Sequence, residues 1–187
     1  MRVVGGSARG RRLAAPRGNR VRPTADRIKE ALFNILHSGM EGFEGARVLD
    51  LFAGTGNLGI EALSRGCSEA VFVDSHRESV AVIRRNLDEL GFGDRARIIA
   101  RDALAAIDSL EREGAPFRLV VLDPPYRLGL ADKVLGRLAG SPLIAEETII
   151  VVESAVDEVL PDLMEPLHLV DRRIYGDTAL SFFRKRN

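Results

Sequence analysis

Short apolar runs alternate with stretches in which apolar residues recur every three or four positions, and this rhythm organises most of the chain. Ile28, Leu32, Ile35 and Leu36 follow Pro23-Thr24 at helical spacing, which predicts an amphipathic helix ending near Gly39. Arg47 to Leu51 predicts a strand, a glycine-bearing loop follows, and Leu58 to Arg65 predicts a helix stopped by Gly66. The unit then repeats. Ala70 to Val73 is a strand ending in Asp74, and Val80, Ile83, Leu87 and Leu90 mark a helix that Gly91 terminates. Arg97 to Ala100 is a third strand, and Asp102 opens an alanine-rich helix to about Glu111. Phe117 to Leu122 is a fourth strand, Leu130 to Leu138 a helix, and Thr148 to Val152 a fifth strand. A short helix is then predicted near Glu158 to Met164. Strands at Leu167 to Ile174 and Ala179 to Phe183 flank a hairpin turn, Tyr175-Gly176-Asp177-Thr178. Strands alternating with helices argue for a parallel sheet covered on both faces, closed here by an antiparallel pair.

Composition narrows the setting. In 187 residues that are 45% hydrophobic there is enough apolar surface for one core of ordinary size. Cys67 is the single cysteine, so no internal disulfide can form and a reducing, cytoplasmic setting fits. His37, His76 and His168 lie far apart and lack metal-ligand spacing, so no metal site is expected. No apolar stretch approaches the roughly 18 residues of a membrane span, and the opening segment lacks the apolar core of a secretory signal. That segment is Arg-rich like a transit peptide, but Gly5-Gly6, Gly10, Pro16 and Gly18 interrupt any amphipathic helix. No surplus apolar segment stands out, which favours a monomer.

A net charge of zero conceals a division. Residues 1–29 hold nine basic residues against Asp26 alone, a net +8, which leaves −8 on the remainder. A basic arm at residues 1–23 ahead of an acidic domain at 24–187 suits a polyanion held on one side. The alternative is a solvated tail.

Asp50, Asp74, Asp102 and Asp123 stand at, or just beyond, the carboxyl ends of four successive predicted strands. Ligands bind along that edge of an open parallel sheet, so the four carboxylates should border one crevice, although each alone also fits a loop start or helix cap. Gly54-Thr55-Gly56-Asn57-Leu58-Gly59 literally matches the dinucleotide fingerprint, with Asp74 about 20 residues beyond it, so a nicotinamide-dependent oxidoreductase is a rival reading. Against it, Asp50 would meet a pyrophosphate as an unfavourable negative charge and suits a cationic or amine-bearing ligand. In Asp123-Pro124-Pro125-Tyr126, two prolines without amide donors hold nearby carbonyls as rigid acceptors, and Tyr126 adds a flat aromatic face. A carboxylate, fixed carbonyls and a stacking surface form a clamp for a planar exocyclic amine, such as that of a nucleobase. The plain alternative is a proline stop after a strand.

Asp50-Leu51-Phe52-Ala53-Gly54-Thr55-Gly56 together with Asp123-Pro124-Pro125-Tyr126 resembles the paired motifs of Class I S-adenosylmethionine-dependent methyltransferases that modify exocyclic amines. Gly5-Gly6, Arg9-Gly10-Arg11-Arg12-Leu13, Arg22-Pro23-Thr24-Ala25-Asp26-Arg27, Ala31 to Leu36 and Gly59 to Gly66 further resemble the bacterial small-subunit (16S) ribosomal RNA guanine-N2 methyltransferases, the RsmD family. The resemblance spans nearly the whole chain. Asp-Pro-Pro-Tyr alone is shared with adenine-N6 and protein glutamine-amide methyltransferases, which stay as alternatives.

What the resemblance implies is a Rossmann-like, mostly parallel seven-stranded sheet with a C-terminal antiparallel hairpin. It implies S-adenosylmethionine as donor, S-adenosylhomocysteine as product, no metal, and ribosomal RNA within a small-subunit assembly particle as partner. Asp50, Phe52, Ala53, Gly54, Thr55 and Gly56 would wrap the methionine part of the donor. Asp74, with Ser75 beside it, would bind the ribose hydroxyls, and Asp102 with Ala103 the adenine edge. Asp123, also bordering the donor, would act with Pro124, Pro125 and Tyr126 on the target amine. Arg9, Arg11, Arg12, Arg22 and Arg27 would hold phosphates. Thr24 suits a helix cap, although the matching family segment lies close to the active site.

Overall fold

The computed structural model describes residues 1–15 and 23–186. Its elements run α1 (Pro23–Met40), β1 (Arg47–Leu51), α2 (Asn57–Ser64), β2 (Glu69–Val73), α3 (Arg77–Leu90), β3 (Ala96–Ile99), α4 (Ala103–Glu111), β4 (Phe117–Leu122), α5 (Leu130–Ala139), β5 (Ile144–Ala155), β6 (Leu163–Met164), β7 (Leu167–Tyr175) and β8 (Thr178–Lys185). They form one eight-stranded sheet in the order β3-β2-β1-β4-β5-β8-β7-β6. Pairs among β1 to β5 are parallel, whereas β5–β8, β7–β8 and β6–β7 are antiparallel. The chain leaves β1 toward β2 on one side and returns to β4 on the other, so strand order reverses between β1 and β4. In open α/β sheets the crevice at such a reversal is where ligands lie.

The expected parallel core and terminal hairpin are present, with one correction. Residues 158–162 carry no helix, and Leu163–Met164 instead forms β6, a two-residue edge strand that makes the sheet eight-stranded. Pro161 removes an amide donor from the middle of the expected helix, and Leu160 is buried while Val159 points to solvent, a pattern without a continuous helical face. β5 runs twelve residues because it starts early, with Ile144 beside Phe117 of β4, and continues past the apolar run to pair with β8 as far as Ala155.

Side chains on alternate strand positions build two cores. On one face Val48, Phe72, Val121 and Val151 pack under α1, α2 and α3 through Leu32, Phe33, Leu36, Ile60, Leu63 and Ile83. On the other, Leu51, Val73, Leu122 and Val152 pack under α4 and α5 through Ala106, Ile107, Leu110, Val134 and Leu138. Cys67 is buried, and that burial pushes its thiol up to about 12. Among the described residues, no helix is long and apolar enough to cross a membrane.

The first 13 residues do not trail from the domain. They fold back on themselves, with an antiparallel bridge between Arg2 and Arg12, and bury Val3, Ala8 and Leu13 in the core shared with α1, α2 and α3. The dock is polar as well. The fully buried Glu61 carboxylate on α2 accepts the amides of Val4 at 2.9 Å and Gly5 at 2.8 Å, pairs with Arg65 at 2.8 Å, and lies 3.3 Å from the Lys29 ammonium of α1. Lys29, 2% exposed, also donates to the Arg2 carbonyl and to Asn57 Oδ1, each at 2.6 Å. Burial lowers the Lys29 value and Glu61 opposes that shift. Gly6 completes the dock, because a Cβ there would sit 1.8 Å from the Ser64 carbonyl.

Removing one partner of a buried ion pair leaves an uncompensated charge, which typically costs 3–5 kcal/mol. Glu61→Gln should therefore lose about 3 kcal/mol or more in denaturant unfolding, whereas exchange of an exposed carboxylate such as Glu89 should cost about 1 kcal/mol or less.

Candidate functional site

The loop between β1 and α2 is built around a buried carboxylate. Asp50, 1% exposed, accepts the Gly59 amide at 2.9 Å and so ties the end of β1 to the first turn of α2. Gly59 has to lack a side chain, since a Cβ would lie 2.4 Å from the Phe72 ring and 3.1 Å from Asp50 Oδ2. Between these anchors the backbone turns through positive φ at Phe52 (63°), Gly54 (57°) and Gly56 (77°). Two neighbours hold it. Asp74, just past β2, accepts the Gly54 amide at 2.9 Å on one oxygen and the His76 amide at 2.8 Å on the other. Asn86 of α3 donates to the Thr55 carbonyl at 2.9 Å and exchanges hydrogen bonds with both backbone groups of Ala14.

Two hollows flank this loop and share Phe52, Asp123 and Tyr126. The first, about 570 Å³, is lined by Asp50, Gly54 and Thr55 on one side and by Lys29, Glu153 and the turn Tyr175–Thr178 on the other. The second, about 630 Å³, takes Asp74, Ser75, Asp102, Ala103, Pro124 and Pro125 into its wall. Three of the four expected carboxylates, Asp50, Asp74 and Asp123, thus stand along the strand ends at the reversal of strand order. Asp102 also borders the second hollow, but one of its oxygens caps α4 by accepting the Ala105 amide at 3.0 Å. Ala53 lines the first hollow, and Gly56 acts behind the wall as the left-handed cap of α2.

Residues beyond the expected set complete the first hollow. In the parallel register Leu122 faces Val152, so Glu153 takes the place beside Asp123 on the neighbouring strand. The Tyr126 hydroxyl donates to Glu153 at 2.9 Å. The signal for Glu153 was present, since it follows the fifth apolar run as Asp123 follows the fourth. Lys29 carried no such signal, because its place depends on how α1 packs.

Electrostatics single out these acids. Burial, reinforced by Asp74 and opposed by the Gly59 amide, pushes Asp50 up to about 7. Asp123 lines both hollows, crowded by protein yet exposed to water through their mouths. That crowding, then the charges of Glu153 and Asp50, raises it above the ordinary carboxylate range, and the open mouths moderate the first of these causes. Glu153 is raised by burial and held back by the Tyr126 hydrogen bond, while burial and Glu153 raise the Tyr126 phenol. Carboxylates held in this way favour ligands that bring positive charge or N–H donors.

The basic residues divide into two places. Arg9 and Arg27 border a shallow hollow of about 370 Å³ with Arg2, Asp26 and Glu30, and both are exposed. Arg11 donates to the Glu89 carbonyl of α3 at 2.9 Å, and Arg12 is exposed at the bridge with Arg2. Arg22 lies outside the described residues, and Thr24 is described only by its backbone place in the first turn of α1.

The family described as Conserved hypothetical protein 95 matches residues 1–184. Over 185 residues the chain is 35% identical to the Ribosomal RNA small subunit methyltransferase D of Escherichia coli K12, covering 99% of this chain and 90% of that protein. The solved structure of the Escherichia coli protein yhhF aligns with a TM-score of 0.85 at 34% identity, covering 100% of this chain and 98% of the other. The SAM-dependent methyltransferase from Agrobacterium tumefaciens has the same fold, with a TM-score of 0.63 at 16% identity over 88% of this chain and 63% of that one.

Because the folded value of Asp50 lies near 7 against an ordinary 3.8, the fold prefers its protonated form. Its contribution to stability is complete below about pH 4 and disappears as pH rises through about 7. Asp50→Asn should flatten the stability profile between those limits by up to about 1.4 kcal/mol per pH unit, measured as unfolding free energy across buffers.

Proposed function

The chain belongs to the family described as Conserved hypothetical protein 95, the RsmD family, and on that footing we propose that it methylates the exocyclic N2 amine of a guanine in small-subunit ribosomal RNA, using S-adenosylmethionine. The observation that carries this reading is the junction of two hollows at Asp123 and Tyr126, one suited to a nucleoside and one open to an incoming planar amine. The donor set fits S-adenosylmethionine. The Asp74 oxygens are oriented by the amides of Gly54 and His76 and keep further lone pairs for a vicinal diol. The free oxygen of Asp102 can take an adenine amine, and Asp50 suits the charge of the methionine end. A pyrophosphate at the same loop would face a fully buried acid, which argues against nicotinamide chemistry.

S-adenosylmethionine, when bound, supplies a methyl carbon on a sulfonium, and transfer to the amine releases S-adenosylhomocysteine and one proton. The protein's share is positioning. Asp123 and the Pro124 carbonyl accept the two amine hydrogens, which fixes the nitrogen and keeps its lone pair directed at the methyl carbon. Tyr126 stacks on the base, anchored at its hydroxyl by Glu153. As the C–N bond forms the amine becomes cationic, and the nearby carboxylates stabilise that charge. Asp123, whose proton affinity is raised by burial and by the charges of Glu153 and Asp50, then takes the proton or passes it to water. A stacked base cannot enter such a hollow, so the target guanine has to be unpaired or turned outward. Arg9 and Arg27, with Arg11 and Arg12 at a second place on the docked segment, hold phosphates and set register. A ribosomal RNA substrate assigns the reaction to the cytoplasm, where the enzyme acts on an assembling subunit.

Mass mapping of 16S RNA from cells lacking the gene should show one guanosine without its N2 methyl group, restored by the purified protein; an unchanged modification map overturns the assignment. In a tritium-transfer assay, Asp123→Ala should lose about 10²-fold or more in turnover with little change in donor affinity. Alanine at Arg9 and Arg27 together should weaken RNA binding and lower the salt slope by about 1 to 2.

A further inference from the structure

Glu153 takes no part in binding the donor in the scheme above, yet it is an acid whose ionised form is costly and which faces the acceptor end of the first hollow. It stands beside Asp123 in the parallel register between β4 and β5. Tyr126 occupies one of its oxygens at 2.9 Å, and among the described residues the other has no hydrogen-bond partner. The remaining lining on this side includes Lys29, whose ammonium is already engaged by Glu61, Asn57 and the Arg2 carbonyl and is directed away from solvent.

Two neighbouring carboxylates with unfilled acceptor positions repel one another, and a ligand edge that presents two adjacent N–H donors relieves both. Nucleobases differ in this respect. Guanine carries N1–H directly beside its N2 amine, whereas adenine and cytosine place a ring nitrogen lone pair beside theirs. A lone pair set against a carboxylate is doubly unfavourable, as acceptor faces acceptor. We propose that Glu153 is the specificity-determining residue of the acceptor hollow, its free oxygen accepting guanine N1–H while Asp123 accepts from N2. The assignment rests on the guanine-N2 reading above and deepens it. Tyr126 thereby has two functions: it stacks on the base and, through its hydroxyl, keeps the Glu153 carboxylate turned toward the base edge.

The test uses small subunits reconstituted around 16S RNA that carries either guanosine or 2-aminopurine at the mapped position. 2-Aminopurine keeps the 2-amine but replaces N1–H with a lone pair. Wild-type protein should prefer guanosine by about 10²-fold or more in kcat/KM. In Glu153→Gln, which keeps an acceptor for the Tyr126 hydroxyl and offers an N–H donor, guanosine activity should fall by about 10²-fold and the preference should shrink below about tenfold. An undiminished preference in Glu153→Gln overturns the proposal. Tyr126→Phe separates recognition from mere support of the ring. Because removing the hydroxyl frees the Glu153 carboxylate to turn, the preference should narrow only in part; a preference wider than that of Glu153→Gln upholds the proposal, whereas reproduction of the whole Glu153→Gln effect means that Glu153 acts only through Tyr126 and overturns it. Methyl transfer by wild-type protein to an adenine of the same particle would instead sink the guanine-N2 reading on which all of this stands.

Discussion

The buried carboxylate of Glu61 is the point on which the rest of the molecule depends. One side chain, excluded from solvent, neutralises Lys29 from α1, holds Arg65 at the end of its own helix and takes two backbone amides from the opening segment. Each of those groups would be expensive to bury alone, and together they satisfy one another. The consequence reaches the functional site. Lys29 also grips Asn57, the first residue of α2, so the ion pair that docks the basic segment sets where the glycine loop enters its helix. Asn86 repeats the arrangement from α3, joining Ala14 to the carbonyl of Thr55. The opening basic segment and the glycine loop are therefore tied by two buried polar hubs.

Much of this plan could be read from the residues. The parallel core follows from apolar runs of strand length separated by helical spacing, and the carboxylates that end those runs mark the binding edge without any structure. The positive φ values of Gly54 and Gly56, together with the close approach of Gly59 to Phe72, explain the glycine loop as geometry and not only as a motif. Where the reading failed, the cause was local. The segment around Pro161 has apolar residues at spacings compatible with a helix, but a missing amide donor and an available edge on β7 let Leu163 and Met164 pair as a strand instead.

The site was read less fully for a different reason. Residues at strand ends are found by one-dimensional pattern, whereas Lys29 and the turn Tyr175–Thr178 reach the hollow only through packing of α1 and of the antiparallel hairpin. The charge division along the chain was visible, but it implied a separable arm, and no pattern of basic residues could disclose that Val3, Ala8 and Leu13 belong to the core. Fixing the arm changes its meaning. Under the proposed function, arginines on a packed segment would hold phosphates in a defined register relative to Asp123, which arginines on a loose tail would not.

An energetic argument unites the two ends of the fold. Asp50, Asp123 and Glu153 border one hollow, each raised above the ordinary carboxylate range, so their ionisation works against folding. Such a cluster is tolerated where the surrounding structure supplies compensation, and a ligand of the right charge can relieve it further. The sheet's two apolar cores and the Glu61 network provide the first. Under the proposed function, a donor with a cationic sulfonium and an acceptor edge rich in N–H groups would provide the second, because they would bring to each carboxylate the partner it lacks. On that reading, binding of the substrates and stabilisation of the site would be one electrostatic event, strongest when the amine becomes cationic as its new bond forms.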